Sequence, residues 1–316
     1  MKIVVLDGYT MNPGDNPWDE VAKLGEFVCH DRTSGELILE RAKDADVLLT
    51  NKTLLMADTL ARLPRLKFIS VLATGYNVVD VKAARARGIA VSNVPIYGTD
   101  AVAEYVFALL LNFYRQPQMH SDLIKQGEWA RREWCFWNTP LTEVAGQTIG
   151  IVGFGRIGRR VGEIASAFKM KILANDVVRA NPPPYAFEWR EVPELFAESD
   201  VVTLHCNLTA ENTGMVNKSL LGRMKPAAYL INTSRGPLVK DADLAEALQQ
   251  HKIAGAALDV VTTEPIPADN PLLKAPNLTI TPHVAWAALA SRRRLMKITA
   301  ENVAAFIAGK PIHVVN

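Results

Sequence analysis

A glycine-rich stretch almost half-way along the chain, "TIGIVGFGRIGRRV" at residues 148 to 161, constrains the fold more than any other feature. Gly153, Gly155 and Gly158 form GxGxxG directly after the apolar run "TIGIV". They stand directly before a helical pattern whose inner face holds Ile157, Val161, Ile164, Ala165 and Phe168. In that context the first glycine permits a tight turn, the second lets backbone approach a pyrophosphate, and the third lets helix and strand pack closely, with the helix N-terminus facing the anion. The next apolar run, "KILAND", ends at Asp176, where a carboxylate can bind the adenosine ribose 2′-hydroxyl. An ordinary strand-to-helix turn accounts for the glycines but not for the acidic residue at that spacing, so dinucleotide binding is expected. A carboxylate there repels the extra phosphate of NADP, which makes NAD(H) the expected cofactor. Arg179, a nearby cation able to receive that phosphate, argues the other way.

The 147 residues ahead of this turn need their own account. Short apolar runs alternate with helical patterns on both sides of it: "KIVVLD", "EFVCH", "DVLLTN", "LKFISVL" and "IAVSNV" before, then "KILAND", "DVVTLHC", "AAYLINT", "IAGAALDV" and "LTITP" after. Continuously apolar strands separated by helices predict parallel sheets covered on both faces, hence two doubly wound α/β domains. A long helix through about Arg115, capped by Thr99 or Asp100, and a second over Ala287 to Ala308 before "GKP" are placed to carry the chain between them. The first domain is then discontinuous, residues 1–98 and 288–316, with a nucleotide domain over 99–287 inserted. The front half closes over whatever the glycine turn binds.

Composition narrows the partners. With 35 basic and 33 acidic residues scattered along 316, the formal charge is +2, and no basic stripe serves nucleic acid or anionic lipid. A small molecule is the expected partner. Cys29, Cys135 and Cys206 form no metal-ligand spacing and no disulfide framework, which fits a reducing cytoplasm. Neither a signal peptide nor a membrane span is expected, because Asp7 breaks the first apolar run and the most apolar helical stretch carries Glu104 and Asn112.

Three residues with chemistry to offer follow strand-like runs. Arg235 in "INTSRG" suits a carboxylate through its planar fork, although taken alone a surface salt bridge is the commoner role. Glu264 in "LDVVTTEP" reads by itself as a solvated loop carboxylate, and His283 in "TPHVAW" as a structural histidine. Successive parallel strands present their C-terminal ends at one edge, which also holds the glycine turn. As a set, the three supply what reduction of a 2-oxo acid requires: a carboxylate anchor, a proton donor and a group that tunes the donor.

With "GFGRIG", "INTSRG", "AALDVVTTEP" and "TPHVAW" in this order and spacing, the chain resembles the D-isomer-specific 2-hydroxyacid dehydrogenase family almost end to end. Within it, "LATGYNVVD" and "YGTDAVAEYVFALLL" resemble the glycerate dehydrogenases, or hydroxypyruvate reductases. The resemblance implies a Rossmann NAD-binding domain inserted into a flavodoxin-like substrate domain. It implies His283 as general acid, Glu264 orienting the imidazole and favouring imidazolium, and Arg235 holding substrate carboxylate and carbonyl oxygen. Thr74 and Gly75 match positions whose amides meet the substrate carboxylate, a simple glycine turn being the alternative. Arg156 and Ile157 match pyrophosphate contacts, Cys206 and Thr233 strand-end contacts, Asp259 the group near the nicotinamide amide, and Thr99 a cofactor contact at the hinge. Cys206 also reads as a small buried hydrophobe.

Trp129, Trp134, Phe136 and Trp137 crowd one polar segment that cannot easily bury itself. Aromatic enrichment of this kind suits a subunit interface, and the resemblance implies a homodimer built on that arm; local packing is the alternative. Hydroxypyruvate is the expected substrate, with glyoxylate, D-lactate-type acids, or an NAD-sensing corepressor-like role as competing readings.

Overall fold

The computed structural model describes residues 1–316. The chain divides into two compact units, Met1–Gly98 with Trp286–Asn316, and Thr99–Ala285. The second is thus an insertion in the first, and the return crossing lies at Ala285–Trp286 rather than after residue 287.

The first unit holds five strands, β1 (Lys2–Val5), β2 (Glu26–Cys29), β3 (Val47–Thr50), β4 (Phe68–Val71) and β5 (Ala90–Ser92). They lie in the order β2-β1-β3-β4-β5 with every pair parallel. β3 and β4 are buried at every position, which is why they read as unbroken apolar runs rather than alternating ones. The helix Leu289–Ile307 covers one face, with Leu295, Met296 and Val303 against Ile3, Val5 and Leu49. Its Phe306 stacks on Phe68 with ring centroids 4.5 Å apart. Gly309, at φ 75°, ends this helix in the left-handed conformation that glycine adopts without a steric cost.

Seven strands build the second unit: β6 (Thr148–Val152), β7 (Lys171–Asn175), β8 (Glu188–Trp189), β9 (Val201–Leu204), β10 (Tyr229–Asn232), β11 (Gly255–Leu258) and β12 (Leu278–Ile280). Their order is β12-β11-β10-β9-β6-β7-β8, again parallel throughout. β8 has no counterpart among the apolar runs; it is an edge pairing of two residues, Glu188 opposite Leu173 and Trp189 opposite Ala174. From β6 the chain proceeds outward through β7 and β8, then returns to β9 and proceeds the other way. The order therefore reverses between β6 and β9, and the crevice beyond the carboxyl ends of such a pair is where open α/β sheets bind ligands.

One face of this sheet is covered by the helices Thr99–Arg115 and Arg156–Ala167. Ala103, Val106, Phe107 and Leu110 of the first and Val161 and Ala165 of the second pack on Ile149 and Ile151. The opposite face packs Val202, Leu204 and Leu230 against Leu244 and Leu248. Burial of these side chains contributes about 1.5–3 kcal/mol each and fixes the sheet between two packed faces.

Candidate active site

Because the seven strands are parallel, the loops that follow them share one edge. Gly153, after β6, has φ 92°, and a Cβ there would stand 2.2 Å from the backbone nitrogen of Cys206. The turn and the end of β9 are therefore in backbone contact across the switch point. A Cβ on Gly158 would stand 2.1 Å from the carbonyl oxygen of Gly153, so the helix can rise only if that residue is glycine. Gly155, by contrast, faces open space and caps the helix Arg156–Ala167, whose first turn brings an exposed Arg156 and a half-buried Ile157.

Asp176 is bound to this turn. Its Oδ2 accepts the Phe154 N–H at 2.6 Å and its Oδ1 the Val178 N–H at 2.9 Å. Arg179, three residues on, is ion-paired with Glu191 and lies over the ring of Trp189, 5.3 Å from its centroid.

At the ends of β9 and β10 the Ser234 hydroxyl donates to the Cys206 carbonyl at 2.6 Å. Burial pushes the Cys206 thiol up, and the side chain packs against the core as a small hydrophobe. Thr233 Oγ1 is buried with no hydrogen-bond partner in the chain. A buried hydroxyl without a partner costs stability unless a ligand supplies one. That orphan, the open Gly155 and a helix N-terminus facing the same edge fit NAD(H).

The loop after β10 is shaped by Asn232, fully buried, whose Nδ2 donates to the Arg235 carbonyl at 2.9 Å and whose Oδ1 accepts the Ser234 N–H at 3.0 Å. A Cβ on Gly236 would overlap the Val261 carbonyl oxygen at 1.9 Å, so the β10 and β11 loops cross at backbone distance just past Arg235. The half-buried Arg235 donates Nη1 to the Ser234 carbonyl at 2.7 Å, and no carboxylate of the chain pairs with it. The salt-bridge alternative for Arg235 is thereby set aside.

Asp259, at the end of β11 and 1% exposed, pins the next loop. It accepts from the Thr281 hydroxyl at 2.7 Å and from the amides of Val284 and Ala285 at 2.9 and 2.8 Å. The loop thus clamped carries His283, which adopts φ 57° and donates its own amide to the Asp259 carbonyl at 2.8 Å. A left-handed conformation at a non-glycine residue is held only by such surroundings. The imidazole Nδ1 lies 2.7 Å from Glu264 Oε2. An ionised carboxylate only accepts, so Nδ1 carries the hydrogen of this contact.

Residue-type patterns missed one more member of this edge. His205, continuing β9, holds Nε2 2.9 Å from the Thr203 hydroxyl, and loss of solvation pushes it down to about 3. Of the other expected site residues, Thr99 is the first residue of the second unit. Thr74 and Gly75 follow β4 in the first unit, where the Thr74 hydroxyl donates to the Val94 carbonyl at 2.8 Å and the two amides donate to no acceptor of the chain. A cavity of about 740 Å³ opens at the opposite edge of the large sheet, lined by Gln147, Asp200, Tyr229 and Asn277 where strands begin. It shares no residue with the site.

A reversed parallel sheet with a phosphate-binding turn and a carboxylate-paired histidine on one edge defines a dinucleotide-dependent oxidoreductase. Residues 107–285 match the family described as D-isomer specific 2-hydroxyacid dehydrogenase, NAD binding domain. The chain is 47% identical over 322 residues to a hydroxypyruvate reductase of Blautia hydrogenotrophica, covering 100% of both. It is 40% identical over 317 residues to a glycerate dehydrogenase of Methylorubrum extorquens, covering 99% of this chain and 98% of that one. Among solved structures, an acyclic imino acid reductase in complex with NADPH and D-Arg aligns with a TM-score of 0.87 at 31% identity over 100% of both chains. The chain belongs to the D-isomer specific 2-hydroxyacid dehydrogenase family and is an NAD-dependent oxidoreductase.

Proposed function

We propose that the chain is a hydroxypyruvate reductase, interconverting hydroxypyruvate and D-glycerate. The observation that carries the chemistry is the 2.7 Å contact of His283 with Glu264 on the edge that also bears Arg235; the substrate follows the names of the two relatives. The guanidinium fork of Arg235 holds the substrate carboxylate and carbonyl oxygen together, which fixes the face of C2 that reacts. The reduced nicotinamide, when bound, supplies the hydride. His283 Nε2 gives a proton to the carbonyl oxygen, and takes it back in the oxidation direction. Glu264 keeps the ring from rotating and so keeps Nε2 aimed. The open amides of Thr74 and Gly75 are suited to a carboxylate.

Around the cofactor, Gly153, Gly155, Arg156, Ile157 and Gly158 are assigned to the pyrophosphate, Thr233 and Cys206 to strand-end contacts, and Thr99 to a further one. Asp176 takes the adenosine ribose, and preference for NADH over NADPH follows from its charge. Val177, 99% exposed, and the exposed Val178 offer the adjoining adenine an apolar surface. Asp259 is assigned chiefly to the loop it clamps, since its two oxygens already accept three hydrogen bonds.

The same reading makes the protein a homodimer. Trp134 is 87% exposed, Trp129 and Trp137 are exposed beside it, and the helix Pro117–Lys125 buries none of its residues. Apolar surface of that extent calls for a partner; sedimentation as a monomer at micromolar concentration would reject it. No helix is long and apolar enough to cross a membrane, and three unpaired cysteines suit the cytoplasm. The partners on this reading are small acids rather than nucleic acid.

Following NADH absorbance with hydroxypyruvate, glyoxylate, pyruvate and phosphohydroxypyruvate tests the proposal. The highest kcat/KM is expected with hydroxypyruvate. A higher value for another acid reassigns the substrate, and no turnover with any of them favours a nucleotide-sensing role instead.

A further inference from the structure

The corner beyond β7 is where the two nicotinamide cofactors differ, because only NADP(H) carries a phosphate on the adenosine ribose. The architecture leaves the choice open: the matched family is NAD-binding, yet a solved neighbour with this fold holds NADPH. Residues beside Asp176 must decide it. Two cations stand by this corner and both are engaged. Arg159 donates Nε to the Phe154 carbonyl at 2.9 Å, Nη1 to the Asn181 carbonyl at 2.6 Å and Nη2 to the Ala180 carbonyl, so it holds the loop that follows β7. Arg179 is paired with Glu191 and rests on the Trp189 ring.

The short edge strand β8 sets up that second engagement. It pairs Trp189 with Ala174; the Arg190 N–H then donates to the Ala174 carbonyl at 2.9 Å, and Asn175 Nδ2 holds the Arg190 carbonyl at 2.8 Å. Glu191 therefore emerges beside the end of β7, next to the strand position that leads into Asp176. Trp189 is itself braced edge-on by Phe154 of the glycine turn, centroids 5.7 Å apart. Cation and ring face are thus brought together by the same backbone that builds the ribose corner.

We propose that Glu191 and Trp189 withhold Arg179 from the 2′-phosphate of NADPH, so that selectivity for NADH is set jointly by the repelling carboxylate of Asp176 and by removal of the cation that would offset it. The proposal rests on Asp176 taking the adenosine ribose. Glu191 acts through Arg179 and is a positioning residue. Both partners of the ion pair are exposed, so the restraint is modest, the ring face adding to a weak surface pair.

Calorimetric dissociation constants for NADH, NADPH and adenosine 2′,5′-bisphosphate test it on the wild type, Glu191→Ala, Glu191→Ala with Arg179→Ala, and Asp176→Asn. Glu191→Ala is expected to tighten NADPH and the bisphosphate about fivefold while NADH changes less than about twofold, the scale of one exposed ion pair. The double variant is expected to return to the wild-type value. Unchanged NADPH affinity in Glu191→Ala, or a gain that survives in the double variant, overturns the withholding. Asp176→Asn separates the two readings: if it alone tightens NADPH, only the withholding falls, and if neither variant does, the placement of the ribose at Asp176 falls with it.

Discussion

Two histidines stand at the carboxyl edge of the same sheet, one after β9 and one after β12, and their surroundings make them different reagents. His205 keeps the course of its strand, its amide donating to the Val152 carbonyl at 2.7 Å and its ring meeting only the Thr203 hydroxyl. No carboxylate compensates the lost solvent, and the ring is driven down to about 3, uncharged at neutral pH. His283 is thrown out of the strand course by Pro282 and the Asp259 clamp, stays partly exposed, and meets Glu264 at 2.7 Å. A carboxylate partner, rather than residue type, separates the two rings.

The sharpest way to break this comparison is to exchange each ring for glutamine. His283→Gln keeps a polar side chain but removes the proton donor, so kcat should fall about 10²- to 10⁴-fold, with the NADH dissociation constant unchanged in calorimetry. His205→Gln should keep most of the rate. Equal losses in the two variants would mean that position along the edge, and not the Glu264 pairing, determines which histidine matters.

Arg235 offers the next largest effect. It has no carboxylate partner in the chain, so its charge is available to a substrate, and lysine preserves that charge while losing the fork. Arg235→Lys should raise KM for the oxo acid about 10- to 100-fold, as expected when a bidentate contact is reduced to a point charge. An unchanged KM in steady-state assays would remove Arg235 from substrate binding.

Much of the fold and of this edge is legible in the sequence, for physical reasons that also mark where legibility stops. Parallel strands buried on both faces are unbroken apolar runs, so all but β8 of the twelve strands appear directly as segments such as "DVLLTN" and "AAYLINT". β8 escapes because an edge pairing of Glu188 and Trp189 needs no apolar run, only a neighbour. Arg235, Glu264 and His283 are legible because parallel topology converts "follows a strand" into "shares an edge". Their supports are not. The Asp259 clamp spans residues up to 26 apart in sequence, and Glu191 reaches Arg179 only through the register of β8. His205 lay hidden inside an apolar run, where a histidine reads as strand filler. The arm with Trp134 shows the converse limit: composition marks its aromatics as unusual, and the fold of the chain itself leaves Trp129, Trp134 and Trp137 exposed.

The smallest expected effect concerns stability. His205 sits near 3 in the folded chain and near its ordinary value of about 6.5 when unfolded. Above that ordinary value neither state binds the proton. As pH falls below it the unfolded chain takes up the proton first, so stability is full at neutral pH and is lost progressively toward acid. Carboxylates held low in the fold, such as Asp46 with its Lys2 amide and Arg65 contacts, lose stability in the same direction at lower pH, so the wild type alone does not isolate the histidine. Comparison with His205→Gln does, because glutamine can keep a hydrogen bond to Thr203 and does not titrate. Between pH 7 and pH 5 the wild type should lose about 1–2 kcal/mol more unfolding free energy than the variant, read by urea denaturation without cofactor. Parallel pH profiles for the two proteins would show that His205 is solvated after all, and the contrast with His283 would then have to rest on Glu264 alone.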